Sequence, residues 1–207
     1  MSQRSMQLLV VGVGGQGVLT AAQVLAGAAH SAHHPVAVGQ LHGLSQRGGS
    51  VECSVRLGDV QTSYIIGDSV DVLLGFEPLE TLRAIAAVGP RTMVVTSTVG
   101  IIPKTVSLGA ASYPSLADIE RQLAERARKV VTVDGPALAK RAGARRSLNA
   151  VLLGALAGLG VLPFPPDAVL QALERRCSSA YLAVNRRAYE LGLGRISSGF
   201  MQGEASQ

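Results

Sequence analysis

A glycine-rich turn between a predicted strand and a predicted helix constrains the fold most. An apolar run from Gln7 to Val13 leads into the sequence GVGGQG at residues 12–17, and small and apolar residues continue at helical spacing to Ala29. A second β-branched run follows from Pro35 to Gln40. Parallel strands need a long crossover, which a helix usually supplies. This order therefore predicts a β–α–β unit whose two strands pair in parallel.

The rest of the chain alternates strands and helices up to residue 147 and is helical afterwards. Ser50 to Leu57 alternates apolar and polar residues and precedes a Gly58-Asp59 turn, so we predict a half-exposed antiparallel hairpin with Val60 to Ile66 as the returning strand. Further strands are predicted at Val70–Gly75, Arg91–Ser97 and Lys129–Val133, and helices at Glu77–Val88, Leu116–Ala127, Pro136–Arg141, Leu148–Leu159, Asp167–Cys177 and Ser179–Leu191, with a loose tail after Gly194. The pattern predicts an α/β fold with a mostly parallel sheet, an inserted β-hairpin and a C-terminal helical segment from about residue 147. No linker divides the 207 residues into two domains.

Composition narrows the classes of function. The net charge is +5, and only 3% of the residues are aromatic, with no Trp. Basic residues are frequent between Arg121 and Arg146, where they fit solvated helix faces or a surface for an anion or acidic partner. Because no aromatic residues are interleaved with them as stacking platforms, nucleic acid is not an expected partner.

The cysteines and the apolar runs exclude two further classes. Cys53 and Cys177 are far apart and neither belongs to a CxxC pair, so this chain's cysteines alone cannot ligate an iron–sulfur cluster or zinc, and no metal site is expected. The N-terminal residues lack an apolar signal core, and the run from Leu148 to Leu162 is too short to span a bilayer. We therefore expect a cytoplasmic protein without a membrane partner.

The first glycine loop offers a phosphate site. Glycines let the backbone approach a ligand, and the N-terminus of a helix presents free N–H groups and partial positive charge. The candidate contacts are Gly12, Gly14, Gly15, Gln16 and Gly17. An NAD site would also need an acid at the end of the second strand, but no acid occurs before Glu52, and Arg47 is poorly placed for an NADP phosphate. The alternative is that these glycines only allow close packing of helix and strand.

A second loop, HGLSQRGGS at residues 42–50, leaves the carboxyl end of the second strand, where ligands of α/β sheets bind. Arg47 can pair with a carboxylate or phosphate, and His42 and Gln46 can donate or accept hydrogen bonds. Gly48, Gly49 and Ser50 can present backbone N–H groups. We therefore predict that this loop lies beside the first. The alternative is that Arg47 and His42 only tie down a hairpin.

Together these loops resemble one family. GVGGQGVLT followed by HGLSQRGGSVECSVR is similar to the gamma domain of 2-oxoacid:ferredoxin oxidoreductases, and within it to the beta subunits of indolepyruvate ferredoxin oxidoreductases. The sequences LGFEPLE at residues 74–80, NAVLLGAL at 149–156 and NRRAYE at 185–190 extend the resemblance over nearly the whole chain. The resemblance implies a Rossmann-like fold and a single gamma-type domain over residues 1–207.

The resemblance also implies a share in a reaction. In such complexes an aryl-2-oxoacid such as indolepyruvate is decarboxylated on thiamine diphosphate, the acyl group passes to coenzyme A, and electrons reach ferredoxin through iron–sulfur clusters. Thiamine diphosphate and the clusters belong to the alpha subunit, the expected partner. Coenzyme A phosphates would suit the first loop and Arg47, while His42 and Gln46 would complete the catalytic cleft toward the substrate carboxylate or the thiol. The chain alone is then expected to be inactive. Separately, the apolar C-terminal helices argue against a lone monomer, so self-association of the isolated chain stays open.

Two other functions stay open from the residues. One is a free-standing NADP-binding reductase, and the other is a non-catalytic Rossmann-like interaction module. Phenylpyruvate-type and branched 2-oxoacids also stay open as substrates. Asn149 is expected to cap the helix that it begins, and Glu77 and Glu80 to complement the dipole of theirs.

Overall fold

The molecule is built on one mixed β-sheet. The computed structural model describes residues 5–42, 49–58, 60–66, 69–102, 106 and 112–203, without the side chains of residues 41, 42 and 197–203. The strands of the described part are β1 (Met6–Val13), β2 (Val36–His42), β3 (Ser50–Leu57), β4 (Val72–Gly75), β5 (Met93–Ser97) and β6 (Lys129–Val133). Their order in the sheet is β2-β3-β1-β4-β5-β6. Strands β1, β4, β5 and β6 run parallel, which confirms the predicted α/β class.

Helices cover both faces of this sheet. The α-helices of the described residues are α1 (Val18–Ser31), α2 (Pro78–Arg83), α3 (Leu116–Ala124), α4 (Gly135–Ala142), α5 (Leu148–Gly158), α6 (Pro166–Arg175) and α7 (Leu182–Gly203). Side chains alternate along β1, so Leu8 and Val10 share one apolar cluster with α1, α5 and α6. Leu9 and Val11 share the other with α3. The predicted Glu77–Val88 helix divides into α2 and a 3-10 turn at Ala84–Ala87.

Strand β3 occupies a place that the sequence did not predict. It pairs antiparallel with β1 on one side and with β2 on the other, so the expected direct parallel pair of β1 and β2 is wrong. Both neighbours still point the same way, because each is antiparallel to β3. The apolar alternation of β3 was predicted correctly: Cys53, Val55 and Leu57 face the cluster that contains α1.

The predicted return strand at Val60 to Ile66 is also wrong. Its residues form no strand, because β1 and β2 already occupy both edges of β3. The segment lies instead across the face of the sheet opposite α1. The Ser54 hydroxyl donates to the Ser63 carbonyl at 2.6 Å, and the Arg56 guanidinium donates to the Thr62 carbonyl at 2.9 Å. Arg56 is therefore buried on a face that was expected to be half exposed.

The C-terminal helices pack through glycines. Helix α7 continues to Gly203, so the expected loose tail after Gly194 is wrong. Helix α7 crosses α5 closely, since a Cβ at Gly154 would strike the Tyr189 carbonyl and one at Gly192 would strike the Val151 carbonyl. Helix α5 is buried almost all round, as its sequence predicted. None of the described helices is both long and apolar enough to cross a membrane.

Substituting Gly154 by Ala should separate α5 from α7. The new methyl group would meet backbone rather than a movable side chain, so the free energy of unfolding should fall by about 1–3 kcal/mol or more. Gly194→Ala is the matched control, because nothing lies within 4 Å of its Cβ position and Ala favours the helix by up to about 1 kcal/mol. Urea unfolding of both variants measures the difference. Equal stabilities of the two variants would contradict this close crossing.

The two thiols should react very differently. Cys53 is fully buried in β3, and burial raises its pKa to about 11, so almost no thiolate forms at pH 8. Cys177 is half-buried, and the Asn185 amide donates to its sulfur at 3.0 Å. Iodoacetamide at pH 8 should label native Cys177 at least about tenfold faster than Cys53. Peptide mass spectrometry reads out both sites, and Cys177→Ser should abolish native labelling. Rapid labelling of Cys53 in the folded chain would be the contrary result.

Candidate functional site

Two backbone turns meet at the carboxyl edge of the sheet. Residues 14–17 leave the end of β1, and Gly49 leads into the start of β3, where Ser50 lies opposite Val13. The Gly14 N–H donates to the Gly49 carbonyl at 2.9 Å. We call the surface formed by residues 14–17, Gly49 and Ser50 the glycine notch. Antiparallel pairing of β3 with β1 is what brings these turns together.

Gln16 fastens the first turn to the neighbouring strand. Its side-chain oxygen accepts from the Val13 N–H at 2.7 Å, and its side-chain nitrogen donates to the Phe76 carbonyl at 3.1 Å. Phe76 directly follows β4. Gln16, a predicted ligand contact, therefore uses both ends of its amide to shape the turn.

The glycines of the first loop serve different needs. A Cβ at Gly12 would lie 2.8 Å from the Gln16 side-chain oxygen and 2.8 Å from the Phe76 Cβ, so close packing accounts for this residue. Gly15 and Gly17 have φ angles of +98° and +92°, which side chains rarely adopt. A Cβ at Gly15 would meet nothing within 4 Å, so this exposed glycine has room for a ligand.

Helix α1 begins at the notch without a side-chain cap. Its N-cap residue is Gly17, no side-chain capping hydrogen bond is found among the described residues, and the first turn holds no acid. No side chain of the described part of the chain therefore takes up the positive end of the helix dipole or its first N–H groups. A phosphate or carboxylate is the acceptor that such a terminus suits.

The second loop is described only at its two ends. The backbone of His42 ends β2, and Gly49 and Ser50 lie in the notch, with Ser50 exposed. Gln46, Arg47, Gly48 and the side chain of His42 fall outside the described residues. Their roles stay predictions.

Asn149 lies next to the glycine notch, although it is distant from the notch in sequence. The N-cap of α5 is Ser147, and the Asn149 side-chain oxygen accepts from the N–H of Ala150 within the first turn. A Cβ at Gly17 would lie 3.5 Å from the Asn149 Cβ. Asn149 also lines a cavity of about 270 Å³, together with Arg146 and Asn185. Asn149 and Asn185 each begin a motif that resembles the family, and only the tertiary fold brings the two residues to one cavity.

Glu77 is a buried acid whose wider role sequence reasoning missed. Its Oε2 accepts from the Glu80 N–H at 2.8 Å, which caps α2 as a helix-start acid should. Its Oε1 also accepts from the Ile101 N–H at 3.0 Å and from the Tyr113 hydroxyl. An acid two residues after a fully buried strand was the available signal, since such positions face the ligand edge of the sheet.

The described residues place limits on cofactors. They contain no group of three or more His, Cys, Asp or Glu residues able to hold a metal ion. The end of β2, where a dinucleotide fold carries its ribose-binding acid, is separated from β1 by β3. Two strand spacings amount to roughly 10 Å, which puts that position out of line with the glycine loop.

Comparison with known proteins identifies the family. Residues 7–194 match the family model described as pyruvate ferredoxin/flavodoxin oxidoreductase. The chain belongs to this family. It is 37% identical over 194 residues to indolepyruvate oxidoreductase subunit IorB of Archaeoglobus fulgidus, covering 94% of this chain and 96% of the relative. It is 39% identical over 188 residues to the IorB subunit of Pyrococcus horikoshii, covering 90% and 93%. These matches confirm the resemblance that the sequence motifs indicated.

Solved structures share the fold. The gamma subunit of a keto/oxoacid ferredoxin oxidoreductase from Geobacter sulfurreducens superposes with a TM-score of 0.67 at 21% identity, covering 93% of this chain and 99% of that one. The 2-oxoglutarate:ferredoxin oxidoreductase of Magnetococcus marinus, solved with 2-oxoglutarate, coenzyme A and succinyl-CoA bound, superposes with a TM-score of 0.72 at 21% identity. The match covers 95% of this chain but 32% of that longer chain.

Removing the Gln16 amide should loosen the notch. Gln16→Ala leaves the Val13 N–H and the Phe76 carbonyl without this partner, so we expect a loss of about 1–3 kcal/mol in the free energy of unfolding. Gln122→Ala on α3 is the control and should change stability by less than about 0.5 kcal/mol. Urea denaturation measures both. A Gln16→Ala chain as stable as the control would show that this amide does not hold the turn.

Proposed function

We propose that the chain is the non-thiamine subunit of a 2-oxoacid:ferredoxin oxidoreductase. The complex would convert a 2-oxoacid, coenzyme A and two oxidised ferredoxins into acyl-coenzyme A, carbon dioxide, a proton and two reduced ferredoxins. Family membership over residues 7–194 supports this reaction class. The observation that carries the proposal is the hydrogen bond between Gly14 and Gly49, because it joins the two family-like motifs into one surface.

The chain's own contribution would be to bind coenzyme A and close the active-site cleft. Phosphate oxygens of coenzyme A would accept hydrogen bonds from the notch backbone at Gly15 and Gly17, at the uncapped start of α1. Arg47 would add a bidentate contact. His42 and Gln46 would face the substrate carboxylate or the thiol. A relative solved with coenzyme A bound belongs to the same fold, which supports this ligand class.

Thiamine diphosphate and the iron–sulfur clusters would belong to a partner alpha subunit. The donors available here fit that division, since the only two cysteines are Cys53, buried in β3, and Cys177, near the end of α6. Thiamine diphosphate would supply the decarboxylation chemistry when bound on the partner. The isolated chain, a single gamma-type domain, would then turn over no 2-oxoacid, and ferredoxin would be met through the complex.

An aryl-2-oxoacid such as indolepyruvate is the proposed substrate. The support is the naming of the curated relatives as indolepyruvate oxidoreductase subunits at 37% and 39% identity. A free-standing NADP reductase is the less favoured function, because β3 displaces the end of β2 from the glycine loop.

Arg47→Ala should weaken coenzyme A binding in the reconstituted complex. Loss of a charge-assisted contact costs about 1.5–3 kcal/mol, so the KM for coenzyme A should rise at least about tenfold. The assay is indolepyruvate- and coenzyme A-dependent dye reduction by the two subunits together. Arg121→Ala, which removes an exposed arginine from α3, is the matched control and should leave the KM unchanged.

Three outcomes would count against the proposed function. An unchanged coenzyme A profile in Arg47→Ala would remove Arg47 from that role. Turnover of a 2-oxoacid by the isolated chain would contradict the division of labour. Tight binding of reduced NADP by the isolated chain would favour the reductase instead.

A further inference from the structure

We infer that Glu77 is a positioning residue: it holds the segment Thr98–Ile102 as a fixed rim at the same edge of the sheet as the glycine notch, two strand positions away, and so sets the affinity of the assembled enzyme for coenzyme A. The kinetic half of this inference rests on the proposed function. The structural half rests on the geometry at the carboxyl edge of the sheet alone. Neither half follows from the motifs of the two glycine loops.

The rim lies at the same edge of the sheet as the notch. Strands β1, β4 and β5 are parallel neighbours, so their carboxyl ends point the same way. The notch follows β1, Glu77 comes two residues after the end of β4, and the rim follows β5. The rim's Thr98 N–H donates to the Val133 carbonyl of β6 at 2.9 Å, which anchors only its beginning.

Glu77 anchors the other end of the rim. One carboxyl oxygen accepts from Glu80 within its own helix, and the other accepts from the Ile101 N–H of the rim and from the Tyr113 hydroxyl. The carboxyl group thus joins three segments of the chain. It is 1% exposed, so these donors replace the water that a carboxyl group would otherwise bind.

Tyr113 and Gly100 complete the clamp. Burial, together with the hydrogen bond to Glu77, raises the pKa of Tyr113 above its ordinary value, so its hydroxyl stays protonated and donates. The rim backbone presses against this pair: a Cβ at Gly100 would lie 2.7 Å from the Tyr113 Cζ and 3.1 Å from the Glu77 Oε1. Only a residue without a side chain fits between them.

A continuous set of bonds links the rim to the notch. Gln16 in the notch donates to the Phe76 carbonyl, the next residue is Glu77, and Glu77 accepts from Ile101 in the rim. The rim exposes apolar side chains, Val99 at 45% and Ile102 at 56%, so their packing does little to hold the segment in place. Fixing the backbone beneath them keeps this part of the sheet edge in a single position.

The test uses Glu77→Gln in the full chain. Glutamine has one acceptor oxygen. If that oxygen caps α2, its NH₂ group faces the Ile101 N–H, donor against donor, and if it faces Ile101 the cap is lost. Hydrogen exchange of the free chain should show the 98–102 amides exchanging about tenfold faster or more, with the β1 amides unchanged. In the reconstituted complex, the KM for coenzyme A should rise at least about threefold while kcat stays within about twofold.

Two further variants make the test specific. Glu80→Gln is the matched control: Glu80 is a buried acid on the same helix, but its side chain pairs with Arg83, so rim exchange and the KM should not change. Tyr113→Phe removes one donor and leaves the helix cap intact. It carries the test if Glu77→Gln fails to fold, and it should speed rim exchange several-fold.

The outcomes separate the two halves. Rim exchange within about twofold of the wild type in both Glu77→Gln and Tyr113→Phe would overturn the positioning role. Faster rim exchange with an unchanged KM for coenzyme A would overturn the link to affinity. A wild-type complex without coenzyme A-dependent turnover would overturn the proposed function and that link together, and rim exchange would still decide the positioning role.

Discussion

The antiparallel insertion of β3 between β1 and β2 is the constraint on which the site depends. Because β3 starts opposite the end of β1, the chain entering β3 must pass beside the turn that leaves β1. The hydrogen bond from Gly14 to Gly49 is the direct result. A dinucleotide-binding sheet has β2 in that place, so the same insertion gives this chain its paired turns and takes away the ribose-binding position.

Side-chain hydrogen bonds fix the backbone around these turns. Glycines supply the backbone angles that a tight approach needs, and such turns are costly to hold in one conformation. Gln16 ties the first turn to the end of β4, and Glu77, the next residue but one after β4, ties the rim after β5. Half-buried Gln16 and buried Glu77 thereby connect three strand ends through hydrogen bonds, and such pre-organisation favours binding.

Local patterns predicted most elements but not their neighbours. Strand β6 was predicted with its observed bounds, and β1, α1 and α5 within two residues, because their apolar periodicity reports burial directly. The partner of β3 could not be predicted, since alternation fixes which face is buried but not which strand pairs. Val60 to Ile66 has strand-like composition, yet both edges of β3 were already taken. Glu77 looked like an ordinary helix-start acid because its second role depends on Ile101 and Tyr113, which are distant in sequence.

The proposal that the two paired turns bind coenzyme A is tested most directly by a structure of the two-subunit complex with coenzyme A bound. The account predicts phosphate oxygens of coenzyme A at about 3 Å from backbone nitrogens of Gly15 or Gly17, with the Gly14 to Gly49 hydrogen bond intact. Coenzyme A phosphates bound wholly by the other subunit, with the notch covered by protein, would contradict it.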